Sequence, residues 1–228
     1  QRASMISADG DPCWHWRLGQ WMIEHGAILR VDEFSHTCAG KVLVSKEWLG
    51  EILLAAAGAW LGWSGIVLVC AALIATALWV VYRHLLAEGN DVVLSICLVL
   101  VLALASEVHW LARPLLFTQV LLALFSWRLW AYEQERISAR RLFMELTPRA
   151  VLRVNLHGGF IFGIILVATF GAGNGVAWLA KSGPDPSANR ERLMARSLLT
   201  LACLGASFLN PNGWRLHEHI LSLEGQPI

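Results

Sequence analysis

Long stretches without charge constrain this chain more than any motif does. No charged residue occurs between positions 52 and 82, and a bilayer crossing needs only about 20 apolar residues. Residues 92–106, 114–127, 158–180 and 197–214 are likewise uncharged. Composition agrees: 56% of the 228 residues are hydrophobic and 15% charged, against about 25% charged in an ordinary soluble domain. The expected fold class is all-α, a polytopic transmembrane helical bundle.

Net charge is +1, so nothing points to a nucleic-acid partner. The cations cluster instead. Arg136, Arg140, Arg141, Arg149 and Arg153 mark a cytoplasmic loop by the excess of positive charge on that side. Of twelve tryptophans, Trp48, Trp110, Trp130 and Trp214 fall at the ends of apolar runs, where an indole sits well among headgroups. The five cysteines show no C-x-x-C spacing. Cys70, Cys97 and Cys203 read as packing residues within spans, while Cys13 and Cys38 form either a disulfide or two free thiols.

Ahead of the first span, Trp14, Leu18, Trp21, Met22 and His25 recur at helical spacing with Arg17, Gln20 and Glu24 between them. This predicts an external amphipathic helix lying in the membrane interface, stopped at Gly26; the alternative is a helix packed on another domain. A short helix over residues 47–59 follows, then spans over 63–82, 92–106 and 114–132. Residues 142–155 make a polar return in which Glu145, Arg149 and Arg153 form one helical stripe that must face protein or water. Spans over 160–180 and 193–209 complete the pattern, joined by the linker SGPDPSANRER and closed by the turn Asn210-Pro211-Asn212-Gly213. The chain divides into an external segment (residues 1–50), a transmembrane domain (51–215) and a tail (216–228). Residues 1–10 are expected to be polar and poorly ordered. With Gln at position 1 and no signal peptide, the chain reads as one that has lost an upstream piece.

This topology brings Asp32, Glu33, His36, Glu47, Arg113, Asn155, His157 and Asn210 to the external face. The stretch VDEFSHTCAGKVLVSKEW, residues 31–48, concentrates ionisable groups just ahead of the apolar run, a natural place for polar chemistry beside lipid. Asp32, Glu33 and His36 also make a candidate set for a divalent cation, although spacing alone leaves a metal undecided.

The segments WHWRLGQWMIEHGAILRVDEFSHTCAGK, KEWLGEILL, ARPLLF, NLHGGFIFG and FLNPNGWRL resemble a family of bacterial polytopic membrane proteins grouped with the C-superfold glycosyltransferases, from about residue 11 to 215. The resemblance implies a multi-pass protein of the bacterial cytoplasmic membrane. Its first external loop would carry an acidic catalytic motif, and its donor would be a polyprenyl-phosphate-linked sugar. On that analogy Asp32 is the base that takes the acceptor's proton, with Glu33 as substitute. Glu47 orients the acceptor, binds a cation or caps its helix. Arg113 holds the leaving phosphate, or anchors among headgroups. His36, His157, Asn155 and Asn210 bind substrate. The chain departs from the family in lacking a helix before the first loop, in ending soon after NPNGW, and in carrying Arg149 and Arg153 where relatives are apolar. The alternative reading is a non-catalytic scaffold, complex subunit or transporter-like module, or a truncated and inactive relative.

Overall fold

The computed structural model describes residues 10–182 and 186–223. Residues 1–9 of the expected polar leader, 183–185 of the SGPDPSANRER linker and 224–228 of the expected tail lie outside these described residues; from Pro186 on, the expected linker is helical. Within them the chain forms nine α-helices: α1 (Asp11–His25), α2 (Trp48–Leu61), α3 (Trp63–Ala87), α4 (Val92–Ser106), α5 (Leu115–Glu133), α6 (Ala139–Leu156), α7 (Ile161–Leu179), α8 (Pro186–Ala206) and α9 (Trp214–Leu223). Short 3-10 turns follow α4 and precede α7.

Four of these elements are long and apolar enough to cross a membrane: Trp63–Ala87, Val92–His109, Leu115–Glu133 and Gly158–Leu179. Their outward surfaces are apolar too. Leu104 is 66% exposed and Leu179 75%, a surface that lipid covers favourably and water does not. Helix α4 is the extreme case, packing chiefly on α3 with only Ser95 fully buried.

Helices α6 and α8 differ. The sequence predicts crossings at 142–155 and 193–209, and both segments are helical, but neither belongs to the four apolar elements. Arg153 of α6 and Arg196 of α8 are buried and Glu145 and Arg149 half-buried, while Arg140, Arg141 and Arg190 stay exposed. Arg128 of α5 pairs with Glu145, and Arg149 donates to the Glu145 carbonyl at 2.6 Å. Arg153 is buried over the Phe125 ring, 5.0 Å from its centroid, and donates to the Gly159 carbonyl at 3.1 Å. In α8, Arg196 is fully buried against Asn174 and Glu133.

The predicted helix ahead of the first span is present and ends at Gly26 as expected. It lies against α2, burying Leu18, Gly19 and Met22. A Cβ on Gly19 would meet the Glu51 carbonyl oxygen at 2.1 Å, so only glycine permits this crossing. Gly50 plays the same part on the other side of α2: a Cβ there would lie 2.6 Å from the Leu156 carbonyl oxygen and 2.8 Å from Pro114. Through these two positions α1, α2, the start of α5 and the end of α6 converge. Helix α9, which no sequence signal announced, buries Leu216 against Val154 and Phe160.

Candidate functional site

That convergence sets the site. Glu47 stands at the N-cap of α2, yet its side chain makes no capping hydrogen bond. It is 5% exposed and faces inward. Its Oε1 lies 3.3 Å from His157 Nε2 and 3.8 Å from Lys46 Nζ, and its Oε2 is 3.7 Å from His15 Nδ1. One helical turn on, Glu51 is also buried. Its Oε1 is 3.0 Å from His15 Nδ1, and its Oε2 accepts from the Ser45 hydroxyl at 3.3 Å.

The orientation of His157 follows from the break between α6 and α7. Its backbone is extended, and its Nδ1 accepts from the Gly159 amide at 2.8 Å with the Thr118 hydroxyl at 3.2 Å. An Nδ1 that accepts a backbone N–H carries no proton, so the neutral ring presents Nε2–H to Glu47. Burial, reinforced by the Lys46 charge, pushes the His157 pKa down to about 4. Burial also raises the Glu47 carboxyl above its ordinary range, against the opposing pull of His15 and Lys46. His15 moves opposite to His157. Burial resists its protonation, but the hydrogen bond to Glu51 and the charges of Glu47, Glu51 and Asp11 prevail and raise its pKa.

These groups border a polar pocket of about 370 Å³ lined by Asp11, Trp14, His15, Lys46, Glu47, Arg113, Leu115 and His157. Arg113 meets Asp11 across it at 3.0 Å. The walls therefore offer cationic groups that suit an anion, beside the buried carboxylate of Glu47.

Of the residues singled out from sequence, Glu47, Arg113 and His157 come together here. Asn155 and Asn210 line an adjoining groove of about 700 Å³ with Trp48, Pro148 and Phe208. There Asn155 accepts from Trp48 Nε1 at 2.9 Å and donates to the carbonyls of Val151 and Leu209, at 2.7 and 2.9 Å, strapping α2 to the turn after α8. Asn210 holds its own turn, accepting from the Asn212 amide at 2.8 Å.

Asp32, Glu33 and His36 line neither cavity. They occupy a loop closed by the bridge Val31–Val42 and by backbone bonds from Asp32 to Lys41 and from Gly40 to Asp32. Asp32 Oδ1 accepts from the Phe34 and Ser35 amides, both at 2.9 Å, and these bonds, Ser35's first, hold its carboxyl below the ordinary range. Glu33 accepts from Trp21 Nε1 at 2.9 Å, and His36 is exposed. Cys13 and Cys38 are both free thiols.

His15, Lys46, Ser45, Glu51 and Thr118 were not anticipated. One signal was available: Glu47 and Glu51 are one turn apart, the last acids before a 36-residue stretch without another, which ends at Glu88. No family model, curated protein or solved structure matches this chain, so the reading of the site rests on its own chemistry.

Proposed function

We propose that the chain is an integral membrane glycosyltransferase that takes a sugar from a polyprenyl-phosphate donor on the external side of the bacterial cytoplasmic membrane. The observation that carries this reading is Glu47, a buried carboxylate of raised pKa facing a cation-bearing pocket at the edge of an apolar helical bundle. A base whose pKa moves toward the working pH is the better proton acceptor. In the proposed step the acceptor hydroxyl attacks C1 of the sugar and its proton passes to Glu47. The bond from C1 to the phosphate oxygen breaks, and the polyprenyl phosphate leaves with the bonding pair. Arg113 and Lys46 offset the charge that gathers on the departing phosphate. His157 Nε2 faces Glu47 Oε1 at 3.3 Å and orients it, while the adjoining groove is open to the lipid-borne part of the donor.

A second reading has one observation behind it. Glu47, Glu51, His15 and His157 satisfy one another well enough to serve as a polar strut in a non-catalytic subunit. Transfer assayed in membranes with polyprenyl-phosphate sugars separates the two, with wild type expected to transfer and Glu47→Gln not. Transfer absent from the wild type supports the strut. Sidedness is read from Cys38: a membrane-impermeant maleimide should label it in right-side-out vesicles, and labelling only in inverted vesicles reverses the topology.

A further inference from the structure

We propose that His15 Nδ1, Glu51 Oε1 and Glu47 Oε2 bind one divalent cation of the manganese or zinc class beside the pocket. These ligand atoms all lie within 4.8 Å of one another. Bonds of about 2.1 Å at right angles place neighbouring ligands roughly 3 Å apart. The His15–Glu51 distance of 3.0 Å already has that value, and the His15–Glu47 distance of 3.7 Å needs only a small side-chain rotation.

Burial separates this cluster from an ordinary acidic surface patch. Glu47 is 5% exposed and Glu51 3%, and two neighbouring carboxylates are costly to hold out of water without matching positive charge. His157 supplies none, because its Nδ1 accepts the Gly159 amide. Lys46 is at 3.8 Å with its side chain 40% exposed. His15 reaches both acids and, protonated, offsets one negative charge, whereas a dication in its place would neutralise both.

The outer contacts also suit metal ligands. Each carboxylate turns one oxygen toward His15; the other accepts from Ser45 in Glu51 and faces His157 Nε2 at 3.3 Å in Glu47. Such contacts orient the ligating groups in metal sites generally. His15 and Glu47 border the pocket, which leaves coordination positions facing open space. One imidazole with two carboxylates fits manganese or zinc better than calcium, which takes 6–8 oxygens. The cation's task rests on the proposed function: its open positions would take a phosphate oxygen or the acceptor hydroxyl, leaving Glu47 Oε1 for the proton. Ligation would also lower the pKa of a bound hydroxyl, so that a weaker base suffices.

The test uses the full chain in lipid nanodiscs, stripped with chelator and titrated with Mn²⁺ by electron paramagnetic resonance, with Zn²⁺ as competitor. One saturable equivalent is expected, displaced by Zn²⁺. Glu51→Gln should weaken it at least tenfold and Ser45→Ala about tenfold, while Glu24→Gln on the exposed face of α1 leaves it unchanged. Absence of saturable binding by a folded wild type overturns the site, as does wild-type affinity in Glu51→Gln. Binding by a chain that transfers no sugar keeps the site and removes the glycosyltransferase reading. Transfer by a chain that binds no Mn²⁺ does the reverse.

Discussion

The loop at residues 31–42 and the cluster around Glu47 contain the same kinds of residue, but they are built differently. In the loop, Asp32 is bound by amides two and three positions away and Glu33 by an indole of the helix just before it. In the cluster, His15, Glu51 and His157 reach Glu47 from α1, from α2 and from the break after α6. Local bonds lower the Asp32 pKa, whereas burial raises that of Glu47. A carboxylate held by its own turn is stabilised as an anion and is a poor proton acceptor. One desolvated by distant parts of the chain is poised to take a proton. Local polarity marks a turn, and convergent polarity marks a site.

The largest effect should come from Glu47→Gln, with transfer falling about 10²–10⁴-fold, the range for a general base. Its folded pKa is raised, so the neutral form is the one the fold prefers. The variant should therefore unfold no more easily than wild type at pH 7. Asp32→Asn should show the opposite pairing, with transfer nearly intact and stability reduced. If Asp32→Asn abolishes transfer while Glu47→Gln does not, the comparison is inverted and the base lies in the loop.

Acid should pull the two regions apart. The His157 pKa of about 4 lies below its ordinary 6.5, so between these values the unfolded chain takes a proton that the folded chain resists. Its contribution to stability is full above pH 6.5 and is lost toward pH 4, roughly 3 kcal/mol at most. Asp32 is also depressed, but from 3.8, so its contribution persists until the pH falls below that value. Hydrogen exchange at the Gly159 amide, bonded to His157, should lose protection between pH 6.5 and 4 while the Phe34 and Ser35 amides keep theirs. Simultaneous loss would mean that the regions unfold as one.

Gly19→Ala tests whether the cluster depends on close helix approach. A Cβ at 2.1 Å from the Glu51 carbonyl oxygen forces α1 outward, with an expected loss of about 1–3 kcal/mol in thermal unfolding. Because α1 carries His15, Mn²⁺ affinity should fall with it. The smallest effect is expected from His36→Ala in the exposed loop, within about 0.5 kcal/mol of wild type.

Much of the architecture was legible in one dimension. The uncharged runs became α3, α4, α5 and α7, and the Trp14–His25 pattern became α1 with its stop at Gly26. The four-residue spacing of Glu145, Arg149 and Arg153 foretold a stripe facing protein or water; Arg153 is buried, Glu145 pairs with Arg128, and Arg149 turns back onto its own helix. The site was half legible. Glu47, Arg113 and His157 were named for their places at span ends and do share a pocket. His15 was missed because a lone histidine between Trp14 and Trp16 looks like part of an interfacial helix. Glu51 was missed because one acid opening an apolar helix resembles a favourable first-turn charge.

The division follows from the range of the forces involved. Sequence by itself determined most of the helical segments, α9 apart, and which of them suit lipid, because hydropathy and periodicity are properties of neighbouring residues and the bilayer acts on every span alike. Only the tertiary structure decided which acids became a site. Desolvation depends on what covers a side chain, and Glu47 is covered by residues from positions 15 to 157, which meet because Gly19 and Gly50 let helices approach to backbone contact.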